Sequence, residues 1–297
     1  VRPIKHNDTT NYTIEEATQL LPFLLQTLTN KSRNAVKSIL TRGQVAVDGQ
    51  TITQHNHPLN PGQVVSIISN QTSLKLSAFS GINILHEDDA IIVINKDIGV
   101  LSMSADGPNE VTAYQQLMDY VKKDNPNNRI YIVHRLDRDT SGVMVYAKTE
   151  EAKLTLQKNW HKMVKERTYT ALVEGEVEKD EGSISSWLTE NAAMKMYSSP
   201  YDNGGKFAVT HYKKIAGNKN YSLLEVELDS GRKNQIRVHM QDIGHPIARD
   251  KKYGAETNPI KRLGLHASTL AFTHPTTGKL VRYTAKVPNS FYKHVKG

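Results

Sequence analysis

Two apolar runs, Ile130-Tyr131-Ile132-Val133 and Val143-Met144-Val145-Tyr146-Ala147, bracket the nine-residue stretch His134-Arg135-Leu136-Asp137-Arg138-Asp139-Thr140-Ser141-Gly142. Short runs rich in β-branched and aromatic residues read as strands, and the mostly polar stretch between them reads as a loop. The rest of the chain can be read as a frame for that loop, and chemistry usually sits on such loops.

Within it, Asp137 and Asp139 lie among His134, Arg135 and Arg138, and Thr140-Ser141-Gly142 adds hydroxyls and a flexible turn. A carboxylate held near guanidinium groups stays ionised at neutral pH, as a nucleophile or base must. On composition alone the stretch reads equally well as an ion-paired surface loop.

With 297 residues, 38% of them apolar, the chain fits one large or two ordinary domains with at least one sizeable core. A formal charge of +8 favours a polyanionic partner, since neutralising phosphates releases condensed counterions. Cysteine is absent, which excludes disulfides, thiolate metal sites and cysteine nucleophiles together. No stretch approaches the apolar length of a membrane span, and Val1 to Asn11 lacks the apolar core of a signal peptide. A cytoplasmic protein is expected.

Residues 1–11 are polar and are expected to form a flexible arm. From Thr13 to Leu28 the positions Ile14, Ala17, Leu20, Leu21, Leu24, Leu25 and Leu28 recur at helical spacing, with Pro22 as a kink or break. Ser32 can cap a second helix, apolar at Val36, Ile39 and Leu40 and basic at Arg33 and Lys37, with Lys31 and Arg42 extending the positive stripe. Gln44 to Gly49 reads as a strand ending in an Asp-Gly hairpin signal, followed by Thr51-Ile52-Thr53 and, past Pro61-Gly62, by Val64 to Ile68. His55-Asn56-His57 reads as a solvated loop, because no carboxylate or further histidine lies close by to complete a metal site. Gln71 to Gly81, with three serines, reads as a linker.

Beyond the linker, Ala90 to Asn95 is a buried-looking run followed by Lys96 and a turn at Gly99. Tyr114, Leu117, Met118 and Val121 make one helical face, and Ala152, Leu156, Trp160 and Met163 another, in which Trp160 keeps the apolar register of a core residue. Glu166 to Gly175 alternates as a strand with Tyr169, Ala171 and Val173 on one side. Strand-like runs at 207–212 and 221–228 follow, broken by turn-forming clusters. In Ser230 to Met240 a turn leads into a helix whose Arg232, Lys233 and Arg237 lie off its apolar face, a natural site for an anion.

Residues 12–70 resemble the S-four RNA-binding domain through Asn30-Lys31-Ser32-Arg33 at a helix start and Gly43-Gln44-Val45-Ala46-Val47-Asp48-Gly49 after it. That resemblance makes Lys31, Arg33, Lys37 and Arg42 expected contacts to an RNA backbone. The string His134 to Gly142 resembles the catalytic motif of the RluA/RluD-type pseudouridine synthases, in which the Asp after His-Arg-Leu is essential, here Asp137. The run through Lys96 resembles that family's first motif, with Asp97 where proline is common and Met103-Ser104 where many members have His-Pro. Tyr169 matches the family's basic residue, Tyr and terminal Gly pattern. Gly231-Arg232 and Gln235-Ile236-Arg237 match its Gly-Arg…Gln-Ile-Arg, with Lys233-Asn234 where Thr-His is common. The segments Gly244-His245-Pro246-Ile247, Lys251-Lys252-Tyr253-Gly254 and Leu263-Gly264-Leu265-His266-Ala267 look like the family's closing segments and are assigned no chemistry.

The resemblance implies an α+β protein: a flexible arm (1–11), a small RNA-binding domain (12–70), a linker (71–82) and a catalytic domain (83–297) of mixed, mainly antiparallel sheet flanked by helices. It implies an isomerase that converts uridine in RNA, ribosomal more than transfer RNA, to pseudouridine. No cofactor, metal or membrane is expected, and the chain is expected to act as a monomer. Asp137 would act on the sugar as nucleophile or base, Arg237 would pair with it, and Tyr169 would stack on the uracil. Arg135 would fill the space the extruded base vacates, with Arg138, Arg232 and Lys233 as further RNA contacts. Two rival readings are a non-catalytic RNA-binding clamp, and a glycosidase or nuclease built on Asp137 and Asp139, the nuclease needing a divalent ion.

Overall fold

The computed structural model describes residues 4–6, 9–29, 31–41, 44–68, 79–104 and 111–295. Arg42 and most of the expected linker, 71–78, lie outside the described residues. The chain divides into two compact units, Val1–Ser80 and Gly81–Gly297.

The first unit holds strands β1 (Ile4–His6), β2 (Thr9–Thr13) and β3 (Thr18–Gln19), helices α1 (Leu20–Thr27) and α2 (Arg33–Thr41), and strands β4 (Val45–Val47), β5 (Gln50–Thr51), β6 (Pro58–Leu59) and β7 (Val64–Ile68). Five of the strands form one sheet in the order β1-β2-β7-β4-β5. Asp48 and Gly49 both take the left-handed conformation, φ 49° and 82°, which is the tight turn that an Asp-Gly pair favours between two strands. The Ser32 hydroxyl accepts the Ala35 amide at 3.2 Å, capping α2. Leu20, Leu24, Val36 and Leu40 are fully buried between the two helices and the sheet.

Two expectations fail here. Residues 4–6 and 9–11 of the expected arm are not loose: β1 pairs with β2, and β2 runs antiparallel to β7 from Thr9↔Ile68 to Thr13↔Val64, while 1–3, 7 and 8 lie outside the described residues. The edge of β7, distant in sequence, satisfies the backbone groups that local composition would leave in water. The helix read from Thr13 starts only at Leu20; Ile14 is buried from a non-helical segment, so apolar spacing alone overran the helix. Pro22 lies in the first turn, where an amide hydrogen has no partner to lose, and α1 continues past it.

The second unit contains β8 (Ile82–Glu87), β9 (Ile91–Lys96), α3 (Ala113–Asp124), β10 (Tyr131–Ile132), β11 (Ser141–Ala147), α4 (Glu150–Lys158), α5 (Trp160–Met163) and β12 (Val164–Glu174). It continues through β13 (Glu181–Glu190), β14 (Met196–Ser199), β15 (Lys206–Gly217), β16 (Tyr221–Leu228), α6 (Gln235–Asp242), β17 (Leu265–Thr273), β18 (Leu280–Thr284) and α7 (Asn289–Tyr292). One sheet of 11 strands runs β14-β13-β15-β16-β12-β17-β11-β9-β8, with β10 beside β11 and β18 beside β17. Its pairings are antiparallel except β11 with β17, which run parallel at Ser141↔His266 and Gly142↔Ala267. This is the expected α+β architecture. Trp160 falls on α5 after a break at Asn159, and packs partly buried against a core that includes Val133, Val145 and Leu156.

Candidate active site

The residue-137 loop is held by polar contacts from three directions. Lys96, at the end of β9, is fully buried, and its ammonium donates to the carbonyls of Asp97 (3.0 Å), Val100 (2.8 Å) and Arg138 (3.1 Å). Burial pushes that ammonium down to about 8, against the pull of Asp139, Asp137 and Asp97. The Ser102 hydroxyl both donates to the Leu136 carbonyl (2.7 Å) and accepts the Leu136 amide (3.1 Å), clipping the residue just before Asp137. Ser141 bonds His266 Nδ1 at 2.7 Å and accepts from Arg262 at 2.5 Å, tying the end of the loop to β17. A Cβ on Gly142, which has φ 120°, would lie 2.0 Å from the Ala267 carbonyl oxygen, so this junction needs glycine.

Helix α6 forms the facing wall. His239, fully buried, bonds Ser186 (2.9 Å) and Thr210 (2.8 Å), and Gln235 Nε2 donates to the Val209 carbonyl (2.8 Å) and Thr210 (2.9 Å). Residues four apart share a helix face, so these two fix α6 to the sheet and leave Arg237 turned away from that face. Asn234, just before the helix, is left-handed (φ 53°); its side chain donates to the Tyr253 hydroxyl (3.0 Å) and accepts from Arg237 (3.2 Å). The departure at Asn234 therefore fills a structural position, one that asparagine tolerates well. The departure at Asp97 is similar, because its amide donates to Gly81 at 2.8 Å and proline has no such hydrogen.

Between the walls lies a cleft of about 450 Å³ lined by Asp137, Tyr169 and Arg237, with Arg135, Arg232 and Lys233 around them. Arg237 Nη1 stands 3.6 Å from the Asp137 carboxylate, which is 31% exposed. The same guanidinium donates through Nε and Nη2 to Asp250 at 2.6 and 2.8 Å, and it lies over the Tyr253 ring, 5.0 Å from its centre. Burial alone would weaken the charge on Arg237, but Asp250 and Asp137 outweigh it and hold the guanidinium protonated. Tyr169 is 4% exposed. The arrangement offers an ionisable carboxylate, a fixed cation and an aromatic face to one small, flat guest.

Of the other expected contacts, Lys233 pairs with Glu190 at the cleft edge. Arg138 is 63% exposed, pairs with Asp139 at 3.4 Å, and is not among the residues lining the cleft; nor is Asp139. The two acids of the loop therefore do not face one cavity, as a paired-acid hydrolase would require. Lys31, Arg33 and Lys37 belong to the other unit, with Lys31 and Arg33 exposed.

Residues 90–242 match the family model described as RNA pseudouridylate synthase. This chain belongs to that family. An RNA pseudouridine synthase of Bacillus subtilis, YlyB, is 34% identical over 272 residues, covering 90% of this chain and 89% of the relative. Ribosomal large subunit pseudouridine synthase D of Neisseria meningitidis is 32% identical over 284 residues, covering 91% of this chain and 75% of the relative. The structure of human RNA pseudouridylate synthase domain containing 4 shares the fold, with a TM-score of 0.59 at 23% identity, over 71% of this chain and 90% of that one.

The synthase is thus an isomerase acting on uridine in RNA. Two residues of its site carried no role in the sequence reading. Tyr253 sits in a closing segment that was assigned no chemistry, and Asp250 lies just before that segment, yet both grip Arg237. The signal that could have found Asp250 is an acid two residues after the apolar pair Ile247-Ala248, since a buried carboxylate needs a cationic partner.

Proposed function

We propose that this synthase converts uridine in ribosomal RNA to pseudouridine, with Asp137 as the carboxylate that acts on the sugar. The observation that carries the reading is the meeting of Asp137, Tyr169 and Arg237 in one cleft, with 3.6 Å between the acid and the guanidinium. The target base leaves its stack to enter a pocket of this size. In the reaction the bond from N1 to the sugar breaks, the uracil turns, C5 joins the same sugar carbon, and the hydrogen leaves C5 while N1 gains one. Asp137 serves either as nucleophile at the sugar or as base toward a sugar proton; Tyr169 packs on the uracil and helps remove the C5 proton. Arg135 braces the extruded nucleotide, while Arg232 and Lys233 contact phosphates.

Ribosomal RNA is favoured over transfer RNA by this chain's likeness to relatives named for the large ribosomal subunit, such as the Neisseria enzyme. Residues 12–70 act as an S-four-like module whose Lys31, Arg33, Lys37 and Arg42 touch the RNA backbone, and the protein works as a monomer in the cytoplasm. Among the described residues no helix is long and apolar enough to cross a membrane. The deciding experiment maps pseudouridine in total RNA from cells carrying the wild-type gene, no gene, or Asp137→Asn. Loss of the same site in the last two supports the reading; retention in Asp137→Asn cells refutes the role of Asp137. A product in transfer RNA instead would move the substrate.

A further inference from the structure

The proposed function leaves Arg167 unused. This side chain lies on β12 two residues before Tyr169, half-buried, with its guanidinium 5.7 Å from the centre of the Tyr169 ring. Its Nε is buried and has no hydrogen-bond partner, and among the described residues no carboxylate pairs with the group. Of the acids nearby, Glu166 pairs with Arg282 at 2.7 and 2.8 Å, Asp229 with His211 at 3.0 Å and Glu190 with Lys233, and Glu227, exposed on the wall of a neighbouring cleft, makes no bond to Arg167. A guanidinium is always charged and carries five donors, so half-burying one without an acceptor is costly. The neighbouring His134 adds a second such donor. Its Nε2 accepts the Val145 amide at 3.1 Å, which leaves the ring hydrogen on a buried, unpartnered Nδ1.

Position tells what the missing acceptor is. Arg167 stands at a divide: it lines the cleft that holds Asp137 and also a second cleft of about 320 Å³, and Leu228 and Gly231 line both. A Cβ on Gly231 would lie 2.2 Å from Arg167 Nη1, so glycine there lets the guanidinium rest on the divide. A uridine whose base enters the first cleft against Tyr169 leaves its flanking phosphates at the mouth, and the second cleft, sharing Arg167, Leu228 and Gly231 with the first, is within reach of its neighbour. A phosphodiester, with two anionic acceptor oxygens, suits the planar fork of arginine better than any base edge.

Building on the reading of the cleft as the uridine site, we propose that Arg167 binds the backbone phosphate that joins the flipped uridine to its neighbour, with that neighbour in the second cleft. The test uses the full chain and a short RNA hairpin carrying the uridine located by the mapping experiment. The hairpin is made with ordinary linkages and with one neutral methylphosphonate on either side of that uridine. Arg167→Gln lowers kcat/KM roughly 10-fold or more on ordinary RNA, the scale of one charge-assisted hydrogen bond. One of the two methylphosphonates costs the wild type a similar factor, and the two losses do not add. Arg167→Lys, which keeps the charge without the fork, recovers part of the rate. Additive losses, or a wild type indifferent to both methylphosphonates, overturn the inference while leaving the uridine site standing; the wild-type arm needs no folded variant. Should the wild type convert no uridine, the catalytic reading fails instead, and binding of purified ribosomal RNA across a salt series decides the matter. A slope of log Kd against log salt reduced by about 1 in Arg167→Gln supports the phosphate contact, and an unchanged slope overturns it.

Discussion

Asp250 binds Arg237 at two points, 2.6 and 2.8 Å, while Asp137 stands 3.6 Å from the remaining edge of the same guanidinium. The Asp250 side chain is 1% exposed and the Arg237 side chain 15%. The cation is therefore anchored by a buried acid and only lent to the acid in the cleft. Replacing Asp250 with Asn keeps the shape and frees the guanidinium to close on Asp137. Asp250→Asn should lower kcat about 10-fold or more with little change in RNA affinity, measured by single-turnover conversion and filter binding. Asp250→Ala, which strips a buried partner, should also cost roughly 3–5 kcal/mol in a urea melt. A wild-type kcat in Asp250→Asn would show that the anchor is dispensable.

The Ser102 clip predicts a different balance. Its hydroxyl, on a residue 2% exposed, satisfies both backbone groups of Leu136. Ser102→Ala should destabilise the fold by about 2–6 kcal/mol, the scale of two buried groups left unsatisfied. Conversion should suffer more, since Asp137 is the next residue; equal effects on melting and on rate would mean that the clip positions nothing.

Two glycines with positive φ separate strain from crowding. Gly99, at φ 80°, has nothing within 4 Å of an added Cβ, whereas Gly142, at φ 120°, has the Ala267 carbonyl oxygen at 2.0 Å. Gly99→Ala should cost about 1–3 kcal/mol of backbone strain alone. Gly142→Ala should cost roughly 2–6 kcal/mol, since overpacking adds to it. Denaturant melts of both proteins would check the order, and a milder effect at Gly142 would contradict it.

Acid stability should carry the mark of Asp88. Burial pushes its carboxyl up, but hydrogen bonds from His86 and from the Ile91 and Ala90 amides, with His274 close by, bring it down to about 2 from an ordinary 3.8. His86 and His274 both reach the same oxygen, at 2.9 and 3.0 Å. A depressed acid contributes stability that is full above the unfolded value and disappears as pH falls through the folded one. Tm should thus fall between about pH 4 and pH 2, and Asp88→Asn should flatten that stretch of the curve. An unchanged slope in the variant would assign the acid transition to other groups.

The trio that meets in the cleft was legible because each member sits in a short string whose meaning is local: the acid after His-Arg-Leu, the tyrosine on an alternating strand, the arginine after Gln-Ile. Asp250 was not, because what matters about it is a pairing across 13 positions that no periodicity encodes. Arg167 was passed over for the opposite reason, as the role proposed for it rests on a buried Nε that neighbouring segments leave without an acceptor. At the N-terminus, local polarity misread residues that a distant strand edge recruits, and apolar spacing counted Ile14 into a helix that begins six residues later, at Leu20. Turn and cap signals fared better: Asp48-Gly49 and Ser32 each act within a few residues of their partners.

Strand β17 lies between β11 and β12, so the loop bearing Asp137 and the strand bearing Tyr169 are held side by side through residues 265–272. On the ribosome, that strand emerges after both of the elements it joins. The two halves of the cleft can acquire their own secondary structure earlier, but they come into register only once β17 is available. A nascent copy therefore stays inert toward the RNA around it until β17 has left the exit tunnel.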